Sequence, residues 1–280
     1  MKVFLNGRTL PEERARISIH DRGFLCGDGV YETLRVYDGK PFLLHQHLDR
    51  LLTSLAKIKL RLPWSMKKIG EATVNVIRIN RHREAAVRIT VSRGPGPQGF
   101  DPRACKNPTI LITSRPFSGY RSELYRTGMR VFVSSVRRNS PLALPPSIKS
   151  TSCINNILAK IEAVDRGMDE AVLLGDDGAV TEGTISNIFA VKRDRLLTPA
   201  LNGGLLPGVT RAHVCRLARG EGLRVIETKL RPRDLLTADE LFLTSSLMEI
   251  MPIGHFGRRK MKVGPITRRL MICYTRPRLK

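Results

Sequence analysis

One lysine and one glutamate lie beside apolar, ordered segments of the sequence, where charged side chains are uncommon. Lys149 follows Pro145-Pro146 and precedes a helical run, and Glu182 follows a strand-like run. Most lysines of such a basic chain are expected to be solvated. An amine that burial removes from water, however, can become a neutral nucleophile and condense with a carbonyl. The two residues therefore form a candidate site, with a simple turn carboxylate as the alternative for Glu182.

Three further groups have the chemistry to bind an anion. Arg50 lies on a predicted helix three positions after His47, where two solvated side chains are the alternative. The segment 208–210, Gly-Val-Thr, opens another predicted helix, whose first backbone N–H groups point toward an incoming anion. Ser245 and Ser246 end a predicted strand, where their hydroxyls could bind a phosphate or only complete a turn.

Apolar periodicity predicts the elements that must position these groups. Side chains alternate along residues 30–37, and helical spacing extends over residues 45–58 and 66–80. A third helix is predicted to begin at Asn155. Its expected buried face consists of Ile157, Leu158, Ile161 and Ala163.

The distribution of these elements predicts two domains. Strands and two helices fill the first half, and Pro116 to Arg126 shows little periodicity and many polar residues. We predict a small N-terminal α/β domain at residues 1–117, a linker at 118–128 and a large C-terminal domain at 129–280.

Composition and cysteine usage are typical of a globular cytoplasmic protein. The 280 residues are 41% hydrophobic, which is enough to bury a core in each of two domains. No apolar run reaches the roughly 18 to 20 residues that span a bilayer, so no membrane partner is expected. The five cysteines are scattered without CxxC spacing, which argues against a disulfide framework and against a metal site.

A formal net charge of +23 raises nucleic-acid binding as a non-enzymatic alternative. Aromatic residues are only 5% of the chain, and no nucleic-acid-binding motif is present. A nucleic-acid partner is therefore the less favoured explanation, and attraction of anionic small molecules is preferred. No acidic residue follows Glu249, and the basic residues after it are Arg258, Arg259, Lys260, Lys262, Arg268, Arg269, Arg276, Arg278 and Lys280.

The chain contains the motifs Asp28-Gly29-Val30-Tyr31-Glu32, His47-Leu48-Asp49-Arg50-Leu51, Lys149, Glu182-Gly183 with Asn187-Ile188-Phe189, and Leu206-Pro207-Gly208-Val209-Thr210-Arg211. Together these motifs resemble those of the fold-type IV, or class IV, pyridoxal phosphate-dependent aminotransferase family. This family includes branched-chain aminotransferases, D-amino acid aminotransferases and aminodeoxychorismate lyases. The resemblance implies an α/β, D-amino acid aminotransferase-like fold, with a small N-terminal α/β domain, a larger C-terminal domain with a barrel-like sheet, and a homodimer.

The resemblance also implies roles for these residues toward pyridoxal 5'-phosphate. Lys149 would carry the cofactor as a Schiff base and transfer the substrate proton, and Glu182 would keep the pyridine nitrogen protonated. Leu206 would pack against the ring, and Tyr31 would face the substrate. The phosphate would be bound by Arg50, Val209, Thr210, Ser245 and Ser246.

The substrate is less well specified by the motifs. Gln98 and Phe100 stand where D-amino acid aminotransferases carry a carboxylate-binding arginine and histidine, so Arg93 is the hypothetical carboxylate anchor, with an outward loop arginine as the alternative. Thr33 matches a threonine linked to lyase activity. We expect a transaminase acting on a branched-chain or D-amino acid and a 2-oxo acid, with aminodeoxychorismate lyase as the alternative.

Overall fold

The described part of the chain, residues 1–275 in a computed structural model, folds as two units. The first contains Met1–Ser118 together with Ile148–Ser152, and the second contains Gly119–Ser147 and the described residues from Cys153 onward. The segment that carries Lys149 therefore belongs to the first unit, although in the sequence it is flanked on both sides by residues of the second unit. The predicted linker at 118–128 also contains a short helix, Ser122–Thr127.

The first unit is a six-stranded antiparallel sheet with its two long helices packed on one face. Its strand order is β2-β1-β6-β5-β3-β4. The strands are β1 (Lys2–Leu5), β2 (Arg8–Pro11), β3 (Gly29–Tyr37), β4 (Lys40–Pro41), β5 (Ala85–Ser92) and β6 (Thr109–Pro116), and the helices are α1 (Arg22–Cys26), α2 (Leu44–Lys57) and α3 (Met66–Ile79).

The side chains of β3 alternate between the two faces of the sheet, and this alternation determines which of them pack against the helices. Val30, Leu34 and Val36 are fully buried in the core beneath α2 and α3, because successive side chains of a strand point to opposite faces. Glu32 shares this buried face and is directed toward α2. Tyr31 and Thr33 lie on the other face of the sheet and are only half-buried.

The second unit contains a nine-stranded mixed sheet. Its order is β12-β11-β10-β13-β14-β7-β8-β9, and the short β15 pairs with β14. The strands are β7 (Met129–Arg137), β8 (Glu170–Leu174), β9 (Val180–Gly183), β10 (Asn187–Lys192), β11 (Arg195–Pro199), β12 (Arg224–Thr228), β13 (Glu240–Ser245), β14 (Glu249–Phe256) and β15 (Arg259–Lys260), and the helices are α4 (Ser122–Thr127), α5 (Ile154–Asp165), α6 (Val209–Gly220), α7 (Pro232–Leu236) and α8 (Pro265–Thr275).

The predicted inner face of α5 was correct at Ala163 and wrong at its three larger residues. Ile157, Leu158 and Ile161 are about half exposed, whereas Ala159 and Ala163 are fully buried. Small side chains let α5 approach β7 and β8 closely, with Ala163 packed against Phe132 and Ala171. The helix has apolar residues on two sides, and periodicity alone does not identify the side that faces the sheet.

The two long helices of the first unit were predicted correctly, and the short helices α1 and α4 were missed. The predicted helices at 45–58 and 66–80 correspond to α2 and α3, although Leu52 of α2 is exposed. The short α1 lies in a glycine-rich segment, and the Asp21 side chain caps its first turn. Arg276, Arg278 and Lys280 lie outside the described residues. Within residues 1–275, no helix combines the length and apolarity needed to cross a bilayer.

Candidate active site

The backbone of Lys149 is fixed within the first unit by β3 and α2. Its carbonyl oxygen accepts a hydrogen bond from the Tyr31 N–H at 2.9 Å, and its own N–H donates to Ser54 Oγ at 3.3 Å. Val30 and Ser150 form an additional β-bridge. The ammonium nitrogen lies 4.6 Å from the centre of the Tyr31 ring. An amine in contact with an aromatic ring and held by backbone hydrogen bonds is well positioned to act on a bound group.

Arg50 is held by a buried carboxylate of β3. Its Nε and Nη2 donate to the two carboxylate oxygens of Glu32 at 2.8 and 2.7 Å, which is the strong two-point geometry of such pairs. Glu32 is fully buried, and the Arg50 side chain is 9% exposed. The alternative of a solvated arginine on α2 is therefore wrong.

His47 completes this network from the preceding turn of α2. Its Nδ1 lies 2.7 Å from Glu32 Oε2. Burial lowers the pKa of His47 and outweighs the opposing effect of the Glu32 carboxylate, so the imidazole is neutral near pH 7. Burial would raise the pKa of Glu32, but the charge of Arg50 and the hydrogen bonds from Arg50 and His47 hold that pKa at about 2.

Arg88 lies on the face of the first sheet that carries Tyr31 and Thr33, which we call the open face. This arginine was not predicted from the sequence. The Arg88 guanidinium stacks on the Tyr31 ring at 3.8 Å, and its Nε donates to Thr90 Oγ1 at 3.1 Å. Thr33 is directly opposite Arg88 in the β3–β5 register. Arg88 is exposed, so its remaining N–H groups can be reached from solvent. Cross-strand pairing was the signal that could have linked Arg88 to Tyr31 and Thr33.

Arg93, the anchor hypothesised from sequence, forms part of an ion-pair cluster. Its Nε donates to Asp28 at 2.7 Å and its Nη2 to the Ile58 carbonyl oxygen at 2.8 Å, and Arg22 also binds Asp28 at 3.0 Å. Burial opposes the charge of Asp28, but the two guanidinium groups outweigh it and lower its pKa. Gln98 is exposed on the loop that follows. The observed bonds of Arg93 fix this loop and do not leave the guanidinium directed to solvent.

A cleft of about 420 Å³ lies beside the face of the first sheet that carries Tyr31 and Arg88. Its lining includes the apolar side chains of Ile17, Phe24 and Leu111 and the hydroxyls of Thr90 and Thr151. Thr90 is the residue that accepts the hydrogen bond from Arg88, and Thr151 is two residues after Lys149. The cleft therefore combines apolar walls with hydroxyls near the amine-bearing segment.

Glu182 lies at the end region of β9 in the second unit and is held by Arg138, a residue that sequence reasoning missed. Arg138 Nε donates to Glu182 Oε1 at 2.8 Å, and the two side chains are 10% and 6% exposed. The Leu206 N–H donates to Glu182 Oε2 at 3.0 Å, and the Asn187 amide lies 3.4 Å from it. Arg138 is in turn oriented by Asn155 at the start of α5. A carboxylate with these donors is stabilised in its charged form.

The start of α6 presents backbone N–H groups that no side chain caps. Gly208 precedes the helix without a side-chain hydrogen bond, and Val209 and Thr210 form its first turn. A Cβ at Gly208 would lie 1.9 Å from Asn187 Oδ1, so only glycine fits there. Thr210 is 3% exposed. This first turn has the dipole orientation and the free donors that an anion requires.

Hydroxyl groups at the end of β13 lie near the Glu182 cluster. Thr244 is directly opposite Asn187 in the β10–β13 register, and its Oγ1 is buried without a hydrogen-bond partner among the described residues. Ser245 accepts a hydrogen bond from the Met248 N–H, and Ser246 is half-buried. A buried hydroxyl without a partner is costly, so Thr244 is an additional group that a bound ligand could satisfy.

The donor set of each unit fits part of a phosphorylated pyridine aldehyde. The first unit offers an amine at Lys149 and a buried guanidinium at Arg50, and the second offers a buried carboxylate at Glu182 and the first turn of α6. Within the described part of the chain, no group of three or more His, Cys, Asp or Glu side chains could hold a metal ion.

Comparison of the sequence with models of known protein families identifies the family of the chain. Residues 29–256 match the model of amino-transferase class IV. The chain belongs to the class IV aminotransferase family. Enzymes of this family depend on pyridoxal phosphate, and the family and enzyme class predicted from the sequence are confirmed.

Curated relatives of this class IV aminotransferase carry three different activities in their names. A putative branched-chain-amino-acid aminotransferase of Methanocaldococcus jannaschii is 41% identical over 273 residues, covering 96% of this chain and 94% of that protein. An aminodeoxychorismate lyase of Bacillus subtilis is 36% identical, with 89% and 85% covered. A D-alanine aminotransferase of Bacillus licheniformis is 32% identical, with 96% and 94% covered.

Solved structures confirm the predicted fold-type IV architecture. The branched-chain aminotransferase of Thermoproteus uzoniensis with norvaline matches with a TM-score of 0.95 at 33% identity, covering 100% of this chain and 95% of that one. The branched-chain aminotransferase of T.th. with pyridoxamine 5'-phosphate matches with a TM-score of 0.95 at 28% identity, covering 99% and 93%. The fold of this class IV enzyme is therefore the one that these branched-chain aminotransferases have.

The Glu32 network predicts a specific loss of stability in acid. Because the folded-state pKa of Glu32 is about 2 and its ordinary value is 4.5, the ionised carboxylate stabilises the fold fully above pH 4.5. This stabilisation, on the order of 3 kcal/mol, is lost as the pH falls from 4.5 to about 2. Glu32→Gln should lower the free energy of unfolding by roughly 3 kcal/mol near pH 7 and flatten its acid dependence.

Urea unfolding at several pH values measures this effect. Glu12→Gln is the matched control, because Glu12 pairs with Arg115 at the surface, where such a pair contributes under about 1 kcal/mol. Equal losses of stability in the two variants would contradict the interpretation of the Glu32 network.

Proposed function

We propose that this class IV enzyme is a pyridoxal 5'-phosphate-dependent transaminase that moves an amino group between an amino acid, of the branched-chain or D-amino acid type, and a 2-oxo acid. The observation that carries the proposal is the buried Glu182 carboxylate with its hydrogen bonds from Arg138 and Leu206. A pyridine nitrogen needs an anionic partner to remain protonated, and this carboxylate supplies one. The 41% identity to a protein named as a putative branched-chain aminotransferase supports transfer as the reaction.

The protein's own contribution to this reaction is binding and proton transfer. The cofactor, when bound, supplies an electron sink for the carbanion of the substrate. We propose that Lys149 holds the cofactor through its Nζ and later carries the proton removed from the substrate Cα. Its fixed backbone and its contact with Tyr31 restrict where the amine can move. Leu206, half-buried beside Glu182, is proposed to pack against the cofactor ring.

The phosphate is proposed to be bound by Arg50, by the first turn of α6 and by hydroxyls of the β13 end. Arg50 is oriented by Glu32 and His47, so its guanidinium does not have to be ordered when the anion binds. Val209 and Thr210 contribute backbone N–H groups. Ser245 and Ser246 remain proposed hydroxyl donors, and the unsatisfied Thr244 hydroxyl joins them.

The substrate carboxylate is proposed to be bound near Tyr31 by Arg88. Arg88 is exposed, stacks on Tyr31 and lies opposite Thr33. The donors of Arg93, the anchor expected from the sequence, already bind Asp28 and the Ile58 carbonyl. Geometry therefore favours Arg88 over Arg93 as the carboxylate anchor. Gln98 remains a proposed substrate contact from the exposed loop.

A specific observation supports aminodeoxychorismate lyase as the second candidate. The Bacillus subtilis protein of that name is 36% identical, and Thr33 lies on the same open face as Tyr31 and Arg88. The lyase would release 4-aminobenzoate and pyruvate. It would use the same lysine, with elimination in place of amino transfer.

The two reactions are separated by their products. The purified holoenzyme is incubated with a panel of L- and D-amino acids and 2-oxoglutarate or pyruvate, and in parallel with aminodeoxychorismate. New amino acid in the first set is the expected result, and it is abolished by Lys149→Ala but retained by the control Lys160→Ala. 4-Aminobenzoate without amino transfer would instead establish the lyase.

Substitution of the two arginines tests the carboxylate anchor. Arg88→Met should raise KM for the amino acid roughly 10- to 100-fold, because a charge-assisted bond of about 1.5 to 3 kcal/mol is lost. Its Tm should change little, since Arg88 is exposed. Arg93→Met should lower Tm, because Asp28 loses one of its two partners, and should affect KM less. The opposite pattern would restore Arg93 as the anchor.

We also propose that the enzyme is a homodimer in which α5 forms part of the interface. Ile154, Ile157, Leu158, Ile161 and Val164 form an apolar stripe on α5, and each is 48% exposed or more. An exposed apolar stripe of five large side chains is typical of an interaction surface. A second copy of the chain offers an identical stripe. Light scattering should give twice the 31.4 kDa chain mass, and Ile157→Glu with Ile161→Glu should shift it toward the monomer. A wild-type monomer would contradict the proposal.

A cytoplasmic location is proposed as well. All five cysteines are free thiols in the structure, and free thiols persist in a reducing compartment.

A further inference from the structure

Arg138 directly follows β7 and binds one carboxylate and two amide side chains of the second unit. Its Nε donates to Glu182 Oε1 at 2.8 Å, and its Nη1 donates to Asn155 Oδ1 at 3.1 Å and to Asn156 Oδ1 at 3.4 Å. The side chains of Arg138 and Glu182 are 10% and 6% exposed. Among residues 1–275, Glu182 is the only carboxylate with which Arg138 forms an ion pair. The charge of the guanidinium therefore acts on one carboxylate in a place with little water.

The side chain of Asn155, in the first turn of α5, fixes the backbone on both sides of Arg138. Its Nδ2 donates to the Arg137 carbonyl oxygen at 2.6 Å, and its Oδ1 accepts a hydrogen bond from the Asn139 N–H at 3.2 Å. We call Arg138, Asn155 and Asn156 the arginine clamp. Because α5 holds both the guanidinium and the neighbouring backbone, the position of Arg138 is set before any ligand binds.

The arginine clamp also reaches the turn that follows Glu182. Asn156 Nδ2 donates to the Thr184 carbonyl oxygen at 2.7 Å, and Thr184 is two residues after Glu182. The second carboxylate oxygen, Glu182 Oε2, accepts a hydrogen bond from the Leu206 N–H at 3.0 Å. Different elements therefore hold the two oxygens of Glu182, and the carboxylate has one fixed orientation.

A buried carboxyl on the strand next to that of Glu182 shows what a paired guanidinium changes. Glu170 of β8 is 1% exposed and accepts hydrogen bonds from the Thr184 hydroxyl at 2.6 Å and from two backbone N–H groups. Burial raises the pKa of Glu170 in spite of these hydrogen bonds and of the charge of Lys160. In the first unit, the paired guanidinium of Arg50 holds the pKa of the buried Glu32 at about 2. Hydrogen bonds thus do not offset burial at Glu170, whereas a guanidinium does at Glu32.

We propose that Arg138 is a positioning residue that acts through Glu182. It keeps this buried carboxylate ionised and in one orientation, and thereby keeps the ring nitrogen of the bound cofactor protonated. The inference rests on the proposed function, in which Glu182 binds that nitrogen. Asn155 and Asn156 hold the guanidinium in the geometry that this role requires.

A purely structural role for Arg138 is the alternative, because the arginine clamp also joins the end of β7 to α5 and to the β9–β10 turn. A structural brace would change the binding of every ligand of this site by the same factor. An electrostatic role would change only the binding of ligands with a nitrogen that Glu182 can bind. An analogue of pyridoxal 5'-phosphate in which C–H replaces the ring nitrogen separates the two roles.

The test is a comparison of dissociation constants for the cofactor and for this analogue. Both are measured by absorbance titration of the full-length protein after bound cofactor has been removed. The analogue should bind the wild type roughly 10- to 100-fold more weakly, because it cannot form the charge-assisted hydrogen bond. Arg138→Gln keeps a hydrogen-bond donor but removes the charge, and should lower this ratio about tenfold. Arg138→Lys keeps the charge and should retain most of the ratio.

Arg166→Gln is the matched control, because Arg166 of the same unit forms an exposed ion pair with Glu162. Its ratio should equal that of the wild type. A wild-type ratio in Arg138→Gln, with both ligands weakened equally, would overturn the proposal in favour of a structural brace. Equal loss of the ratio in Arg138→Gln and Arg138→Lys would also overturn it.

A different result would identify failure of the proposed function itself. A ratio near one in the wild type would contradict the contact between Glu182 and the ring nitrogen, and the role of Arg138 would fall with it. Tm values measured without cofactor establish that each variant folds. Asn156→Ala removes one acceptor of the guanidinium, and this milder variant should lower the same ratio by a smaller factor than Arg138→Gln.

Discussion

A charge that is removed from water must be paired, and this constraint shapes the functional side chains of both units. Glu32 is fully buried against Arg50 in the first unit, and Glu182 is nearly buried against Arg138 in the second. Removing either partner would leave an uncompensated buried charge, which typically costs several kcal/mol. The pairs therefore hold a guanidinium and a carboxylate in one orientation before any ligand arrives. Such preorganisation lowers the free-energy cost of binding an anion or a protonated ring.

Backbone groups orient the functional residues as well as side chains do. Lys149 is joined to β3 and α2 through its own amide group and carbonyl, and Glu182 receives a backbone N–H from Leu206. Gly208 is required because any Cβ there would overlap Asn187. These contacts connect distant parts of the sequence, so the orientation of each functional group depends on the fold of its unit.

Much of the fold and part of the candidate site could be predicted from the sequence. Regular periodicity identified α2, α3 and β3, and family motifs identified Lys149, Arg50 and Glu182 as candidates. Arg138 and Arg88 were missed because their importance comes from long-range contacts, with Glu182 and with Tyr31. The larger aliphatic residues of α5 were wrongly predicted to face the core, because Ala159 and the correctly predicted Ala163 face its sheet instead. Periodicity reports that a face is apolar, but tertiary packing decides what covers it.

The proposed amino transfer depends on a bond between the amine of Lys149 and the cofactor. The direct measurement is borohydride reduction of the protein after incubation with pyridoxal 5'-phosphate, followed by digestion and mass spectrometry of the peptides. The expected result is a pyridoxyl group on the peptide that contains Lys149, and its loss in Lys149→Ala but not in Lys160→Ala. A stable modification at another lysine, or an unmodified Lys149 peptide in a protein that retains bound cofactor, would contradict the claim.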